Sequence, residues 1–349
     1  MNNRQNTVGG GRHSLNFYDV ISIDNLLSAW QEFRRGKRKK ADVLEFELTL
    51  EDNLFQLHCE LVSKSWKPDP YVAFRINDPK PRIIHKASVR DRVLFQAVYR
   101  KLYKVFDPTF IFDSYSSRVG GGTHKAVRRL EEFSRKITSN YRKVGFALKC
   151  DIRKFFDSID HGVLKNLIRR QITDERLLDL IDIIINSFET EHGKGLPLGN
   201  VTSQLFTNIY LNELDHFIKH KLKIKYYIRY CDDFVMLSAD KQYLDDILRY
   251  IVRYVREYLH LDLHDRKVIF RKIMSGVDFL GCVALPHYKV LRTKTKKRIL
   301  RKIFSLQSDL KKGIIKKEFF EQSLQSYFGI LSHCNSGKVG EKIKIITQS

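Results

Sequence analysis

The spacing of apolar and polar positions divides the chain into a mixed set of helices and strands. Residues 24–66 carry helical spacing, and 71–86 read as a hairpin because NDPKP separates two β-rich runs. Val93, Leu94, Ala97, Val98 and Leu102 recur at helical intervals. Residues 144–151 form a β-rich run that ends on an acidic residue. Asp160 follows as an N-cap, before a helix with Val163, Leu164, Leu167 and Ile168 on one face. Another helix covers 174–187. The loop GLPLGNVTSQ then feeds a helix marked by Phe206, Ile209, Tyr210, Leu214 and Phe217. Strands are expected at 226–230 and 234–237, on either side of a tight acidic turn. Asp240 is placed to cap the next helix, whose stripe is Leu244, Ile247, Leu248, Ile251, Val255 and Leu259. Short strands at 268–271 and 277–280 complete the order, and 292–333 read as a basic helical segment. This succession predicts an α+β fold in which an antiparallel sheet carries helices on one face.

Composition narrows the function. Of 349 residues, 63 are Lys or Arg and 40 are Asp or Glu, a net charge of +23 that suits a polyanionic partner or an acidic membrane surface. Basic residues cluster at Arg34–Lys40 and again at Lys294, Lys296, Lys297, Arg298, Arg301 and Lys302. Such runs also occur as plain solvated helix faces. The five cysteines form no zinc-ligand spacing, and their odd number argues against a secreted disulfide framework. No apolar run reaches the ~18 residues of a membrane span. The stretch 1–11 is polar and Gly-rich, without the apolar core of a signal peptide. The expectation is a soluble, cytoplasmic protein with no membrane partner.

The candidate chemistry lies in two acidic sites. In YCDD, residues 230–233, adjacent carboxylates sit at a hairpin tip between apolar strands and repel each other unless cations neutralise them. An Asp-Asp pair in a turn also serves ordinary proteins as a solvated turn. Asp151 ends another β-rich run, where an Asp is also a common turn or cap former. Together, Asp151, Asp232 and Asp233 supply three hard oxygen ligands from neighbouring strand ends, a set that suits Mg²⁺. Two such ions about 4 Å apart activate a primer 3′-hydroxyl and stabilise departing pyrophosphate, with no protein nucleophile required.

DIRKFFDSI (151–159), GLPLGNVTSQ (195–204) and YCDDF (230–234) stand in the order and spacing of reverse transcriptase palm motifs. KPRII with RDRV, and SYSSRVGGGTHKA, resemble the fingers motifs of prokaryotic, group II intron-like reverse transcriptases. Lys267 and VDFLG resemble the later palm motifs, and SYFGILSHCNS the thumb. The resemblance implies a right-hand polymerase with an N-terminal helical basic extension (1–70), fingers (71–143), an antiparallel-sheet palm (144–285) and a helical thumb (286–349). It implies that Asp151, Asp232 and Asp233, with the backbone carbonyl of Ile152, bind two Mg²⁺ ions, Mn²⁺ being a substitute. Phe156 matches the aromatic steric gate that excludes a 2′-hydroxyl; the alternative is a core Phe, a role that also suits neighbouring Phe155. Arg82, with Arg75 or Lys80, matches the cations that hold the triphosphate of a dNTP. Lys267 matches a proton donor to pyrophosphate, and Gly199 a close approach to the nascent pair.

The chain departs from the common intron pattern at one loop. Leu198 stands where most of these enzymes have Gln, and Ser203-Gln204 where they have Ser-Pro. That pattern resembles the reverse transcriptases of diversity-generating retroelements, which copy a template RNA into cDNA with errors mainly opposite adenines. Leu198 offers no hydrogen bond to a base or sugar, so checking of the nascent pair loosens, unless Leu198 only packs. The resemblance implies template RNA, an RNA/cDNA hybrid and a small basic accessory variability protein as partners. The 349 residues leave no room for an RNase H, endonuclease or protease domain, and the segment after the thumb is short for an intron maturase extension. The competing readings are a domesticated antiphage-defence reverse transcriptase and an inert RNA-binding scaffold. An RNA-directed RNA polymerase is disfavoured by Phe156.

Overall fold

The structure, a computed structural model, describes residues 15–78 and 80–348. The reading of 1–11 therefore lies outside the described residues. The chain forms two compact units. Among the described residues, one gathers those up to Phe112 with Ile152–Lys221 and Ile251–Leu263; the other gathers Asp113–Asp151, Leu222–Tyr250 and those from His264 onward.

In the first unit the predicted helical stretch 24–66 is broken into Ile23–Phe33, Ala41–Leu48 and Leu50–Val62. The first break is a turn containing Gly36 at φ 71°, a backbone region open to Gly without steric cost. The basic cluster falls in this turn, where Arg34 pairs with Glu47 and Lys37 donates to the Phe33 carbonyl at 2.6 Å. Trp30 is buried at the centre of these helices. The hairpin consists of β1 (Val72–Ile76) and β2 (Arg82–Lys86), with Val72 opposite Lys86 and Ile76 opposite Arg82. It stands largely exposed, Phe74 and Ile83 included.

Helix Val89–Phe106 starts at Ser88, whose hydroxyl accepts from the Asp91 amide, and buries Val93, Leu94, Ala97, Val98 and Leu102 as their spacing predicts. Asp160 caps His161–Arg169 and Asp174 caps Glu175–Asn186, each accepting from the third amide of its helix at 2.9 Å. Val201–His216 is buried over nearly its whole length.

The second unit holds a four-stranded antiparallel sheet made of β3 (Phe146–Asp151), β4 (Tyr227–Tyr230), β5 (Asp233–Ser238) and β6 (Ile269–Lys272), in the order β4-β5-β3-β6. Phe234, Val235, Met236 and Leu237 are consecutive and all buried, so the sheet is shielded on both faces rather than one. Ala147, Ile228, Val235 and Leu237 pack with Ala126, Val127, Leu130 and Phe133 of helix Thr123–Ile137. Asp240 caps helix Lys241–Leu259 as expected, accepting from the amides of Gln242 and Tyr243.

The strand expected at 277–280 does not join this sheet. It is β7 (Val277–Phe279) of a separate antiparallel sheet with β8 (Cys282–Leu285) and β9 (Tyr288–Leu291). The strands are three or four residues long, too short for a clear alternation. Gly281 at φ 84° makes the first of their two turns, but the second is disguised: Pro286 is followed by His287 at φ 68° instead of the usual Gly or Asn. The C-terminal segment likewise divides into Thr293–Lys311, Lys317–Ser332 and Gly337–Gln348, with Gly313 at φ 72° after the first. These helices bury Ile299, Ile303, Leu331, Val339 and Ile343 against the same cluster. Among the described residues no helix is long and apolar enough to cross a membrane.

Gly121 has no room for a side chain, because a Cβ there meets the Tyr115 carbonyl oxygen at 2.5 Å and that of Arg118 at 3.1 Å. Gly121→Ala is expected to cost about 2 kcal/mol, whereas Gly337→Ala, with no atom within 4 Å, is expected to be near neutral. Thermal unfolding of the two variants beside the parent checks the contrast; equal melting temperatures would remove the argument.

Candidate active site

The register of two neighbouring strands assembles the acidic residues. Asp151 is the last residue of β3 and pairs directly with Asp233, the first residue of β5. On its other side Asp233 pairs with Tyr230, so Cys231 and Asp232 form a two-residue turn. Cys231 adopts φ 55°, a left-handed conformation that few non-glycine residues hold without support. Directly opposed residues share a face of the sheet, so Asp151 and Asp233 point the same way.

The three carboxylates are half-buried and sparingly compensated. Burial, followed by the charge of Asp151, pushes the Asp232 carboxyl above the usual range. Burial pushes Asp233 up to about 6, opposed by Lys149 and reinforced by Asp151 and Asp232. Burial, with Asp232 adding to it, pushes the Cys231 thiol up to about 12, so it is not a ready nucleophile.

Two lysines face the carboxylates. Lys267 Nζ lies 2.6 Å from Asp151 Oδ1, on a short 3-10 turn, Asp265–Lys267. That turn is anchored where the His264 amide donates to the Asp151 carbonyl at 2.8 Å and the Lys267 amide donates back to His264 at 2.7 Å. Lys149 Nζ lies 3.1 Å from Asp233 Oδ2. Asp233 Oδ1 is buried with no hydrogen-bond partner.

Among the described residues no three His, Cys, Asp or Glu side chains already close on one point as a metal cage. The donor set nonetheless fits hard divalent cations: three carboxylates on adjoining strand ends, two of them with raised pKa, and one buried oxygen left without a donor. Lys149 was not singled out from the sequence. The available signal was a lysine inside the apolar run Phe146–Cys150, two residues before Asp151 and therefore on its face.

The remaining predicted residues belong to the first unit. Ile152 is buried and bridges to Leu263. Phe155 is 2% exposed and packs as core, whereas Phe156 is only half-buried, edge-on to it with ring centroids 5.9 Å apart. Arg82 and Leu198 line one cavity of about 730 Å³ with His85, Arg153, Lys154 and Leu196. The His85 amide donates to the Leu198 carbonyl at 3.2 Å, which holds the 195–200 loop on β2. Gly199 has φ 120°, and a Cβ there meets Ile84 at 3.0 Å, so its close backbone approach is to β2 itself.

Arg75 and Arg82 are both exposed but not brought together. Arg75 pairs with Ile83 and Arg82 with Ile76, which puts the two arginines on opposite faces of the hairpin. Lys80 is exposed in the turn. The lining residues Arg153 and Lys154 were also missed. They lie in a motif read for its acid and aromatic residues, and their convergence with Arg82 depends on contacts remote in sequence.

Comparison with known proteins gives the family. Reverse transcriptase (RNA-dependent DNA polymerase) is the description of the family that matches residues 69–284. Protein YkfC of Escherichia coli K12 is 26% identical over 268 residues, covering 64% of this chain and 69% of its own length. The group II intron-encoded protein LtrA of Lactococcus lactis is 27% identical over 186 residues, half of this chain but only 30% of LtrA. A telomerase from Candida albicans, solved in complex with a fragment of telomeric RNA, superposes with a TM-score of 0.50 at 11% identity, over 84% of this chain and 64% of its own. At that identity the likeness concerns the fold alone, which is that of the right-hand polymerases. The acidic strand pair thus lies within a matched segment covering most of the chain, which belongs to the reverse transcriptase (RNA-dependent DNA polymerase) family and, within it, is group II intron-like.

Proposed function

We propose that the protein copies a template RNA into cDNA as an RNA-directed DNA polymerase, and does so with errors, in the manner of diversity-generating retroelements. The observation that carries the polymerase reading is the direct pairing of Asp151 with Asp233, Asp232 standing in the adjoining turn. These three carboxylates, with the carbonyl of Ile152, are the residues to hold two Mg²⁺ ions or Mn²⁺ in their place. Bound cations of this kind lower the pKa of a primer hydroxyl and neutralise charge on a departing pyrophosphate.

The other roles follow from each residue's chemistry. Lys267, 37% exposed, has an ammonium able to pass a proton to pyrophosphate. The Arg82 guanidinium suits a triphosphate because its fork binds phosphate bidentately. Arg75 and Lys80 remain candidates for the same dNTP, with Arg75 requiring a contact from the opposite hairpin face. Phe156 presents a half-buried ring as the gate against a 2′-hydroxyl, and Gly199 supports the loop that carries Leu198. Leu198 lines the same cavity as Arg82 with an apolar side chain where a hydrogen-bonding one would monitor a base pair; this supports the error-prone reading. Residues 71–143, 144–285 and 286–349 serve as fingers, palm and thumb, preceded by the basic helical extension 1–70. The partners are the template RNA, its cDNA hybrid and a small basic accessory protein, and the compartment is the cytoplasm.

Primer extension on an RNA template with Mg²⁺ and dNTPs tests the reading. Asp232→Asn is expected to lower synthesis about a thousandfold or more, the several kcal/mol that metal-assisted chemistry supplies. Retained synthesis would sink the assignment, and accurate synthesis by the parent would move the protein to the antiphage-defence reading. Without metal, the same variant is expected to melt at a higher temperature than the parent at pH 8. Its raised folded pKa means that the stability present in the parent below about pH 4 is lost as pH rises through that value. The difference should vanish near pH 4; a constant offset across pH would contradict it.

Leu198→Gln is expected to reduce errors opposite adenine about five- to tenfold, the worth of one hydrogen bond. An unchanged error spectrum would leave Leu198 a packing residue. Phe156→Ala should raise ribonucleotide incorporation at least about tenfold, measured by alkali-sensitive product; no increase would return Phe156 to the core.

A further inference from the structure

Lys149 is held more tightly than a surface lysine. In the β3–β5 register it stands opposite Val235, which makes it the diagonal neighbour of Asp233 on the face that also carries Asp151. Its ammonium lies 3.1 Å from Asp233 Oδ2 and 3.3 Å from the Asp278 carbonyl oxygen, and 5.9 Å from the centre of the Phe279 ring. The Lys149 side chain is 14% exposed and that of Asp233 19%. Lys149 thereby ties the carboxylate-bearing strands to β7. It differs from Lys267, whose side chain is 37% exposed and therefore open to a substrate.

A carboxylate pivots about its last torsion and offers either oxygen to a cation. Here one oxygen is taken by Lys149 and the other, Oδ1, is buried without any donor. A charge-assisted bond to Oδ2 fixes the plane of the carboxylate, and burial prevents water from doing the same at Oδ1. We infer that Lys149 is a positioning residue for divalent-cation binding: by engaging Asp233 Oδ2 from the β7 side, it keeps Oδ1 oriented and available to the cation. The inference rests on the reading of Asp151, Asp232 and Asp233 as the cation site. It adds a requirement that reading does not contain, since Lys149 acts through Asp233 and not as a ligand itself. Outer groups that orient a metal ligand typically govern affinity by about 10- to 100-fold.

The test is a titration of the full-length protein with Mg²⁺ alone, read as the rise in melting temperature. Lys149→Met keeps the length and apolar stem; Lys149→Gln keeps a donor for the Asp278 carbonyl but not the charge; Lys149→Arg keeps the charge. Met and Gln are expected to raise the Mg²⁺ concentration at half-effect about tenfold or more, with Arg close to the parent. DNA synthesis by the Met and Gln variants should fall at limiting Mg²⁺ and recover at high Mg²⁺. If the Met and Gln variants melt lower by one amount at every Mg²⁺ concentration, with the half-effect unmoved, Lys149 is only a structural tether and the inference is wrong. Tighter Mg²⁺ binding by either variant would mean that Lys149 competes with the cation, and would overturn it equally. Asp232→Asn separates the two levels. A parent response that this variant abolishes upholds the site, whatever Lys149 does. No Mg²⁺ response in the parent removes the site and the inference together.

Discussion

Repulsion among three carboxylates held on adjoining strand ends is the constraint around which the second unit is arranged. Asp151 and Asp233 are directly paired across β3 and β5, and Asp232 occupies the turn beside them, buried enough to raise the carboxyl pKa of Asp232 and Asp233. Half-buried, these have less access than surface aspartates to water that would spread their charge. Such an arrangement is unfavourable for the protein alone, and a bound cation, as proposed above, would relieve it.

What tolerates the cost is the surrounding sheet. Phe234 to Leu237 are buried without interruption, and Ala147, Val235 and Leu237 pack into a cluster reaching helix Thr123–Ile137 and the C-terminal helices. The strands are thus fixed by apolar burial along their length while their acidic ends are not. Cys231 at φ 55° is carried by the same rigidity, because the ladder on either side of the turn is complete. Lys149 and Lys267 supply partial compensation from two directions: one from the sheet interior and the other from the 3-10 turn that His264 anchors to Asp151.

The first unit solves a different problem. Its exposed hairpin and the 195–200 loop are joined by the bond from His85 to Leu198 and by a glycine that leaves Ile84 its space. The result is a cavity lined by side chains of both charges, Arg82, Arg153, Lys154 and Lys194 beside Asp157, Glu191 and Asp262, with apolar contributions from Leu196 and Leu198. The two arginines of the hairpin do not act as a pair, because a one-residue offset in register sends neighbouring side chains to opposite faces.

The sequence by itself determined the elements with long, regular periodicity. These are helices Val89–Phe106, His161–Arg169, Glu175–Asn186 and Lys241–Leu259, with Asp160 and Asp240 as caps, because a repeating apolar face is a local property of the chain; β3 to β6 were legible instead as short β-rich runs bounded by turns. It also exposed Asp151, Asp232 and Asp233, since acidic residues ending apolar strands contrast with their surroundings. The strand at 277–280 was legible, but β8 and β9, and hence the separate sheet, were hidden because the strands are too short to show alternation and the β8–β9 turn uses Pro286 and His287 rather than a glycine. Only the tertiary structure decided that Phe155 is core while Phe156 is half-open, that Arg75 and Arg82 face apart, and that Lys149 meets Asp233. Each depends on register or on contacts between residues far apart in the chain. A single strand's sequence carries its own periodicity but not the identity of what lies across from it.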